Sequence, residues 1–376
     1  MVNDVLAAFG NQQQQEKYLS AAADGALGAF AMTEPTAGSD AASIRTSATT
    51  NDDGYELNGE KCFISNIGTQ VGHHAIVFAV TDPQKGKAGI SAFIVEHGTP
   101  GLVIGPPENK MGIRAAIVSG VAFNHCQIPA ENRLGNEGDG FSIAMYALER
   151  GRISMVAQAV GISEAAIAQS AAHLSLRQQF GAALERQQGS QWYLAEMSTR
   201  TEAALALIYQ ACDAAERGLP LLKYSSMCKY FAAETAVYVT NKALQLHGGC
   251  GYMKDYPIER LYRDARIIPI YEGTSEIQKK FDCPGSAPGT AHVRPCIISV
   301  TKPLFAPRYP TIRSRMAANR AEISLLHPAA SPTENRQENI FTYTALPVKE
   351  ACSFLSGTPV ETCNKLLQEW AQQSIL

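Results

Sequence analysis

The chain has 376 residues, 18% of them charged, and a formal net charge of −3. That near-neutral balance gives no electrostatic footprint for a nucleic-acid backbone. No apolar run reaches the length of a membrane span and no basic-then-apolar signal segment opens the chain, so no membrane association is expected. The expectation is a soluble intracellular protein of two or three domains, in the mitochondrial matrix if eukaryotic and cytoplasmic if bacterial. Nine cysteines without Cys-x-x-Cys or Cys/His spacing fit reduced thiols and predict no metal site. His73 and His74, like His97 and His125, read as strand and loop surface.

In chain order, residues 3–24 read as helix, with Val5, Leu6 and Phe9 on one apolar face. From Ala29, short runs rich in β-branched and aromatic residues (55–57, 61–65, 75–81, 90–95 and 118–123) are punctuated by Asp53-Gly54, Asn58-Gly59, Gly86, Gly98 and Gly101. This strand-and-hairpin grammar predicts a mostly antiparallel β domain over 29–135. Three long Ala-rich and Leu-rich segments, 141–176, 188–217 and 222–247, then predict a helical bundle. From Asp282 the composition breaks. The last 95 residues hold 10 of the 19 prolines and four of the nine cysteines, which predicts a poorly ordered tail with two short amphipathic runs, 316–326 and 360–375.

Several stretches could carry chemistry. Ala31 to Asp40, with Met32, Thr33, Gly38 and Ser39, lets backbone amides and hydroxyls approach a ligand closely. Phe63, Ile64 and Ser65 place an aromatic and a hydroxyl two residues apart on a strand, suited to a planar ring. His247-Gly248-Gly249-Cys250-Gly251-Tyr252 has more glycine than a helix stop needs, but it follows a helix and so is no dinucleotide fingerprint. In Ile268 to Gln278, the spacing of Ser275 and Gln278 predicts a capping box and a helix start. Glu272, on the turn before it among Ile268, Ile270 and Tyr271, is a candidate general base. Taken singly, each also fits an ordinary loop or helix end.

Together the segments Ala31–Ser43, Gln245–Asp264 and Tyr271–Ser275 resemble the acyl-CoA dehydrogenases. So do Lys110–Arg114, Leu148–Ile153 and Arg177–Gly181. The likeness covers about residues 3–280 and is greatest to the short-chain members. It implies an α+β fold: a remnant of an N-terminal helical domain (1–28), a central antiparallel β-barrel domain (29–135) and an α-helical bundle (136–280). Residues 281–376 form a non-family tail.

The resemblance also implies FAD between β domain and bundle. Phe30, Met32, Thr33, Gly38, Ser39, Phe63, Ile64 and Ser65 match positions against the flavin, with Thr33 and Ser65 hydrogen-bonding its ring. Arg177, Phe180 and Gln188 match residues that reach the FAD of a neighbouring subunit in a homotetramer. Gln245, Gly248 and Gly249 match the adenine side, and Thr274 and Glu276 further cofactor contacts. Glu272 matches the base that removes the α-proton of an acyl-CoA while the β-hydride passes to flavin N5. Burial should raise its pKa toward neutrality.

Ser39, Glu149, Arg152, Tyr271 and Gly273 match substrate-side positions, and Arg152 either steers the base or forms an intrahelical charge pair. An electron-transferring flavoprotein is the implied acceptor, in fatty-acid or branched-chain amino-acid breakdown. Two departures stand out: the family's N-terminal helical domain is nearly absent, and the helix after Glu272 stops after Phe281. Two readings therefore remain, an active dehydrogenase or a catalytically inactive truncated remnant acting only as a flavin-binding or subunit-binding module.

Overall fold

In the computed structural model, residues 1–282 are described. Nearly all of the expected tail, including its runs at 316–326 and 360–375, lies outside the described residues. Helices α1 (Val2–Phe9) and α2 (Gln12–Ala23) are separated by a short break at which Asn11 and Gln14 form a reciprocal capping box. Their apolar residues Val5, Leu6 and Tyr18 are buried against Met32, Ile76, Phe78, Ile143 and Ala147. One apolar seam thus ties the leading helices to both the sheet and the first long helix.

Strands β1 (Leu27–Ala31), β2 (Ser47–Asn51), β3 (Gly54–Ser65), β4 (Gly72–Val80), β5 (Ile90–Glu96), β6 (Leu102–Pro107), β7 (Val118–Pro129) and β8 (Arg133–Leu134) form one sheet. Its order is β6-β7-β3-β2-β4-β5-β8, with β1 added on β4. Most pairings are antiparallel, as the hairpin signals predict, but β1 and β2 each run parallel to β4. The parallel β1 pairing is possible because residues 32–71, including the β2–β3 hairpin, intervene as a long crossover. The pairing path ends at β6 and β8, which do not pair with each other, so the expected barrel is open.

Both faces of the sheet's centre are covered. Ala75, Val77, Ala79, Phe93 and Val95 enter one core with Leu57 and Phe123, while the alternate residues Ile76, Phe78, Ala92 and Ile94 enter the seam with α1 and the bundle. The period-two alternation of a strand with two buried faces explains why these segments read as unbroken apolar runs.

The bundle consists of α3 (Gly140–Leu176), α4 (Gln188–Glu216) and α5 (Leu221–His247), followed by α6 (Ile258–Ala265) and α7 (Ser275–Asp282). Small residues on the inner faces, Gly151, Ala159, Ser163 and Ala166 on α3 and Ser225, Ser226, Ala232, Ala233 and Ala236 on α5, are buried and let these helices approach closely. Between α3 and α4, β9 (Gln178–Gln179) and β10 (Ala182–Ala183) make a minimal hairpin. Its two-residue turn requires positive φ at both positions. Gly181 adopts φ 76 freely, while Phe180 takes φ 54 and leaves its ring 94% exposed. Among the described residues, no helix is long and apolar enough to cross a membrane.

Candidate active site

A cavity of about 710 Å³ lies between sheet and bundle, lined on the sheet side by Phe30, Met32, Thr33, Gly38, Ser39, Phe63 and Ser65. The segment after β1 is anchored from behind. Lys61 is fully buried, and its Nζ donates to the Met32 carbonyl at 3.2 Å and pairs with Glu34 at 2.7 Å. Glu34 also accepts from the backbone N–H of Arg45 and of Thr46. The Cys62 N–H donates to the Thr33 carbonyl. Burial pushes Lys61 down to about 8. For Glu34, burial acts upward but is outweighed by the hydrogen bonds from Lys61 and Thr46, which hold it below the usual carboxylate range. The pair therefore stays charged at neutral pH.

Phe63 adopts φ 59 where the β3–β7 register shifts between Lys61 and Ile64. Phe63 and Ser65 consequently face the cavity. Ile64, expected against the flavin, is 1% exposed and packs into the β-domain core. Its side chain is turned away: the register shift at Phe63 reverses the alternation carried along β3 from Leu57 and Lys61, so this position, matched through the resemblance, brings no side chain to the cavity.

On the bundle side the cavity is bordered by Gly151, Arg152, Tyr271, Glu272, Gly273 and Phe281. Glu272 and Gly273 form a turn with φ 55 and φ 89. Its carbonyls face inward and need donors. The Glu272 carbonyl accepts from Arg152 Nε at 3.3 Å and Gln278 Nε2 at 3.1 Å. The Gly273 carbonyl accepts from Lys229 Nζ at 2.7 Å and Gln278 Nε2 at 2.8 Å. Arg152 donates further to Ser226 Oγ, and its guanidinium lies 5.5 Å from the Phe281 ring centre.

The carboxylate itself is left alone. Glu272 is half-buried as a residue, yet its Oε2 is fully buried and has no hydrogen-bond partner among the described residues. Gly151 makes room for it: a Cβ on Gly151 would lie 2.8 Å from that oxygen. Burial raises the Glu272 pKa to about 7, against the downward pull of Arg152, Lys229 and the N-terminal ammonium. Lys229 is itself pushed down to about 8, chiefly by burial and then by Arg152.

Helix α7 begins at Ser275 as the sequence predicts, but the capping box does not form. Thr274 Oγ1 accepts from the Ile277 N–H, and Ser275 donates to Glu234. Gln278, wholly buried, turns back to the Glu272 and Gly273 carbonyls, which have the greater need of a donor. These contacts hold the eight-residue α7, too short to be stable alone, against α5.

The remaining predicted residues lie outside the cavity lining. Glu149 is half-buried on α3, and burial raises its pKa. Thr274 caps α7 and Glu276 is exposed on it. Arg177, Phe180 and Gln188, at the α3–α4 connection, and Gln245, Gly248 and Gly249, at the end of α5, are exposed. Stacking of His173 on His247, with ring centres 4.4 Å apart, brings these two groups to one end of the bundle. His74 departs from its expected surface position: it is 1% exposed, packs on Tyr18 and is pushed down to about 4 by burial. Among the described residues no three metal-ligating side chains gather.

Four site residues were not recognised from sequence: Gly151, Lys61, Lys229 and Gln278. A glycine inside a long helix and a lysine inside an Ala-rich run were the signals available for Gly151 and Lys229.

Two family descriptions match the chain: acyl-CoA dehydrogenase, middle domain, over residues 29–126, and acyl-CoA dehydrogenase, C-terminal domain, over 138–281. An acryloyl-CoA reductase (NADH) of Anaerotignum propionicum is 52% identical over 276 residues, spanning 72% of this chain and 69% of that protein. An acyl-CoA dehydrogenase of Bacillus subtilis strain 168 is 49% identical over 272 residues, spanning 72% and 71%. The solved butyryl-CoA dehydrogenase of Megasphaera elsdenii superimposes with a TM-score of 0.72 at 45% identity, over 74% of this chain and 73% of that one. The chain belongs to the acyl-CoA dehydrogenase family, oxidoreductases acting on the CH–CH bond of acyl-CoA thioesters.

Proposed function

We propose that this protein binds FAD in the cavity between sheet and bundle and oxidises a short-chain acyl-CoA to the trans-2-enoyl-CoA, with Glu272 as the base. The observation that carries this reading is the buried Glu272 Oε2, unpartnered among the described residues, in a ligand-sized cavity, its pKa about 7. A carboxylate so placed is poised to take a proton near neutral pH.

The residues present suit the cofactor. Phe63 offers a ring that is 67% exposed, Thr33 and Ser65 line the cavity with hydroxyls that bond no other described residue, and a Cβ on Gly38 would meet nothing within 4 Å. Bound FAD supplies the acceptor for the hydride leaving the substrate β-carbon. The chain's own residues do the rest. Glu272 Oε2 takes the α-proton. Among the described residues the Glu272 N–H donates to no backbone carbonyl, which leaves it for a thioester oxygen, whose developing charge it would stabilise. Tyr271 and Gly273 border the substrate, Ser39 faces it from the sheet side, and Met155 and Leu148 help exclude water. Glu149 acts from outside this lining.

The wider assembly in this proposal is a homotetramer on domains 29–135 and 136–280. Arg177, Phe180 and Gln188 would project to the FAD of a neighbouring subunit, and Gln245, Gly248 and Gly249 would take the adenine side. Thr274 and Glu276 complete the cofactor contacts. An electron-transferring flavoprotein would serve as acceptor, and fatty-acid or branched-chain amino-acid breakdown would supply the substrate. The same proton and hydride positions serve enoyl-CoA reduction, the direction in which the A. propionicum relative is named, and the redox partner would decide between the two. Against the inactive-remnant reading stands the Glu272 turn, whose carbonyls are held by Arg152, Lys229 and Gln278.

The test is the visible spectrum of the full chain reconstituted with FAD. The expected result is a flavin band that bleaches on anaerobic addition of butyryl-CoA, and bleaches about 10²–10⁴-fold more slowly in Glu272→Gln. No flavin band overturns the cofactor reading, and bleaching at the wild-type rate in Glu272→Gln overturns the base assignment.

A further inference from the structure

Two cations approach the candidate base, and only one of them has a readily understood environment. Arg152 bonds Ser226 and the Glu272 carbonyl and lies near a ring. Lys229 is 0% exposed, and among the described residues its ammonium makes a single hydrogen bond, to the Gly273 carbonyl. It forms no ion pair within 4.0 Å there, although Glu272 on the turn, Glu234 on α5, Glu276 on α7 and Arg152 on α3 all act on it.

An ammonium buried without a carboxylate partner is costly, and an apolar side chain of the same length would pack there at less expense. The charge must therefore act on something nearby. Gly273 follows Glu272, so the bond from Lys229 fixes the peptide adjoining the base. It also helps hold Glu272 at φ 55, a conformation that costs a residue with a side chain free energy to adopt.

We propose that Lys229 is a positioning residue for the reaction: its buried charge and its hydrogen bond to Gly273 hold the Glu272 turn and keep the carboxylate ionised and unpaired beside the substrate. This rests on Glu272 being the base. A positive charge under the turn favours the ionised carboxylate, which burial alone would disfavour. Because Lys229 bonds the backbone and not the carboxylate, the charge is delivered without occupying the oxygen that takes the proton.

The experiment is pH-difference infrared spectroscopy of the full-length protein without substrate, with the Glu272 carboxyl band assigned by its loss in Glu272→Gln. In Lys229→Met, which removes both charge and donor, and in Lys229→Gln, which keeps a donor without charge, the titration is expected to move upward by about one pH unit or more. The acid limb of kcat/KM should follow by the same amount. An unmoved titration in both folded variants overturns the proposal. If neither variant folds, the wild-type spectra decide. Coupling to Lys229, which burial pushes down to about 8, is expected to spread the Glu272 titration beyond a single-site curve, whereas a single-site curve overturns the proposal. Activity surviving in Glu272→Gln would refute the base assignment and leave the infrared result readable.

Discussion

Arg152 lies beside Glu272 yet bonds its backbone carbonyl, at 3.3 Å, and not its carboxylate. A guanidinium normally clasps a carboxylate in bidentate fashion, and that arrangement would tie up both oxygens. Here Nε donates to the Glu272 carbonyl and Nη1 to Ser226. The cation stabilises the turn while the carboxylate stays unpaired.

Replacing Arg152 by lysine therefore separates charge from geometry. Arg152→Lys keeps a cation but cannot reach Ser226 and the Glu272 carbonyl together. Losing one buried charge-assisted bond of about 1.5–3 kcal/mol predicts a fall in kcat of roughly 10-fold to 100-fold. The acid limb of the pH profile should stay near 7, because the charge remains. Steady-state kinetics across pH check both halves.

The ionisation of Glu272 also has a thermodynamic signature. Its pKa rises from 4.5 to about 7 on folding, so the folded state holds this proton more tightly than the unfolded chain. The resulting stabilisation is fully present below about 4.5 and is lost as pH rises through 7, after which the ionised group costs up to about 3 kcal/mol. Glu272→Gln should accordingly raise Tm relative to wild type at pH 8.5 and change it little at pH 4.5. Lys61 titrates alike in both proteins and cancels in the difference, whereas Lys229 loses the attraction of the Glu272 carboxylate in the variant, which offsets part of the gain at pH 8.5. Calorimetry of the two proteins at the two pH values is the measurement.

At position 151, activity and stability should part company. Alanine is a better helix former than glycine by about 1 kcal/mol, but its Cβ would sit 2.8 Å from Glu272 Oε2 and 2.5 Å from the flexible end of Met1. Gly151→Ala is expected to keep or slightly raise Tm while lowering kcat at least 10-fold through displacement of the carboxylate. Unchanged kcat would show that the turn shifts without consequence.

Behind the sheet-side wall, the Lys61–Glu34 pair predicts a stability cycle. Lys61→Met strands a buried carboxylate and should cost about 3–5 kcal/mol. Adding Glu34→Gln should recover part of that loss, since two backbone N–H donors still serve position 34. FAD affinity should fall in the single variant, because the Met32 carbonyl loses its anchor. Denaturant unfolding and fluorescence titration with FAD report the two effects.

Much of the scaffold was legible because its signals are local. Asp53-Gly54 marked the β2–β3 hairpin and Ala-rich runs marked α3, α4 and α5, whereas Asn58-Gly59, expected as a turn, lies inside β3 at a register shift. The parallel pairings of β1 and β2 with β4 were not legible, since they depend on a crossover and leave no short-range pattern. Glu272 stood out by its turn and motif, whereas its supports come from afar. Lys229 is 44 residues from Gly273 and Arg152 is 120 from Glu272, separations at which spacing carries no information. Gln278 was read as half of a capping box because local chemistry suggested it, and the buried carbonyls of the turn claimed its amide instead. Ile64 enters through the resemblance alone, whereas the local reading pairs Phe63 with Ser65; the register shift at Phe63 turns those two to the cavity and Ile64 to the core.

The Gly273 carbonyl accepts two hydrogen bonds, from Lys229 and Gln278, which uses both of its lone pairs. With both lone pairs engaged, that peptide plane has little freedom to rotate before any ligand arrives. In the proposed reaction, a substrate entering the cavity would meet a turn whose torsional entropy was already surrendered during folding. Its binding free energy is then not spent on freezing that turn, and can go toward holding its own reacting carbons in place.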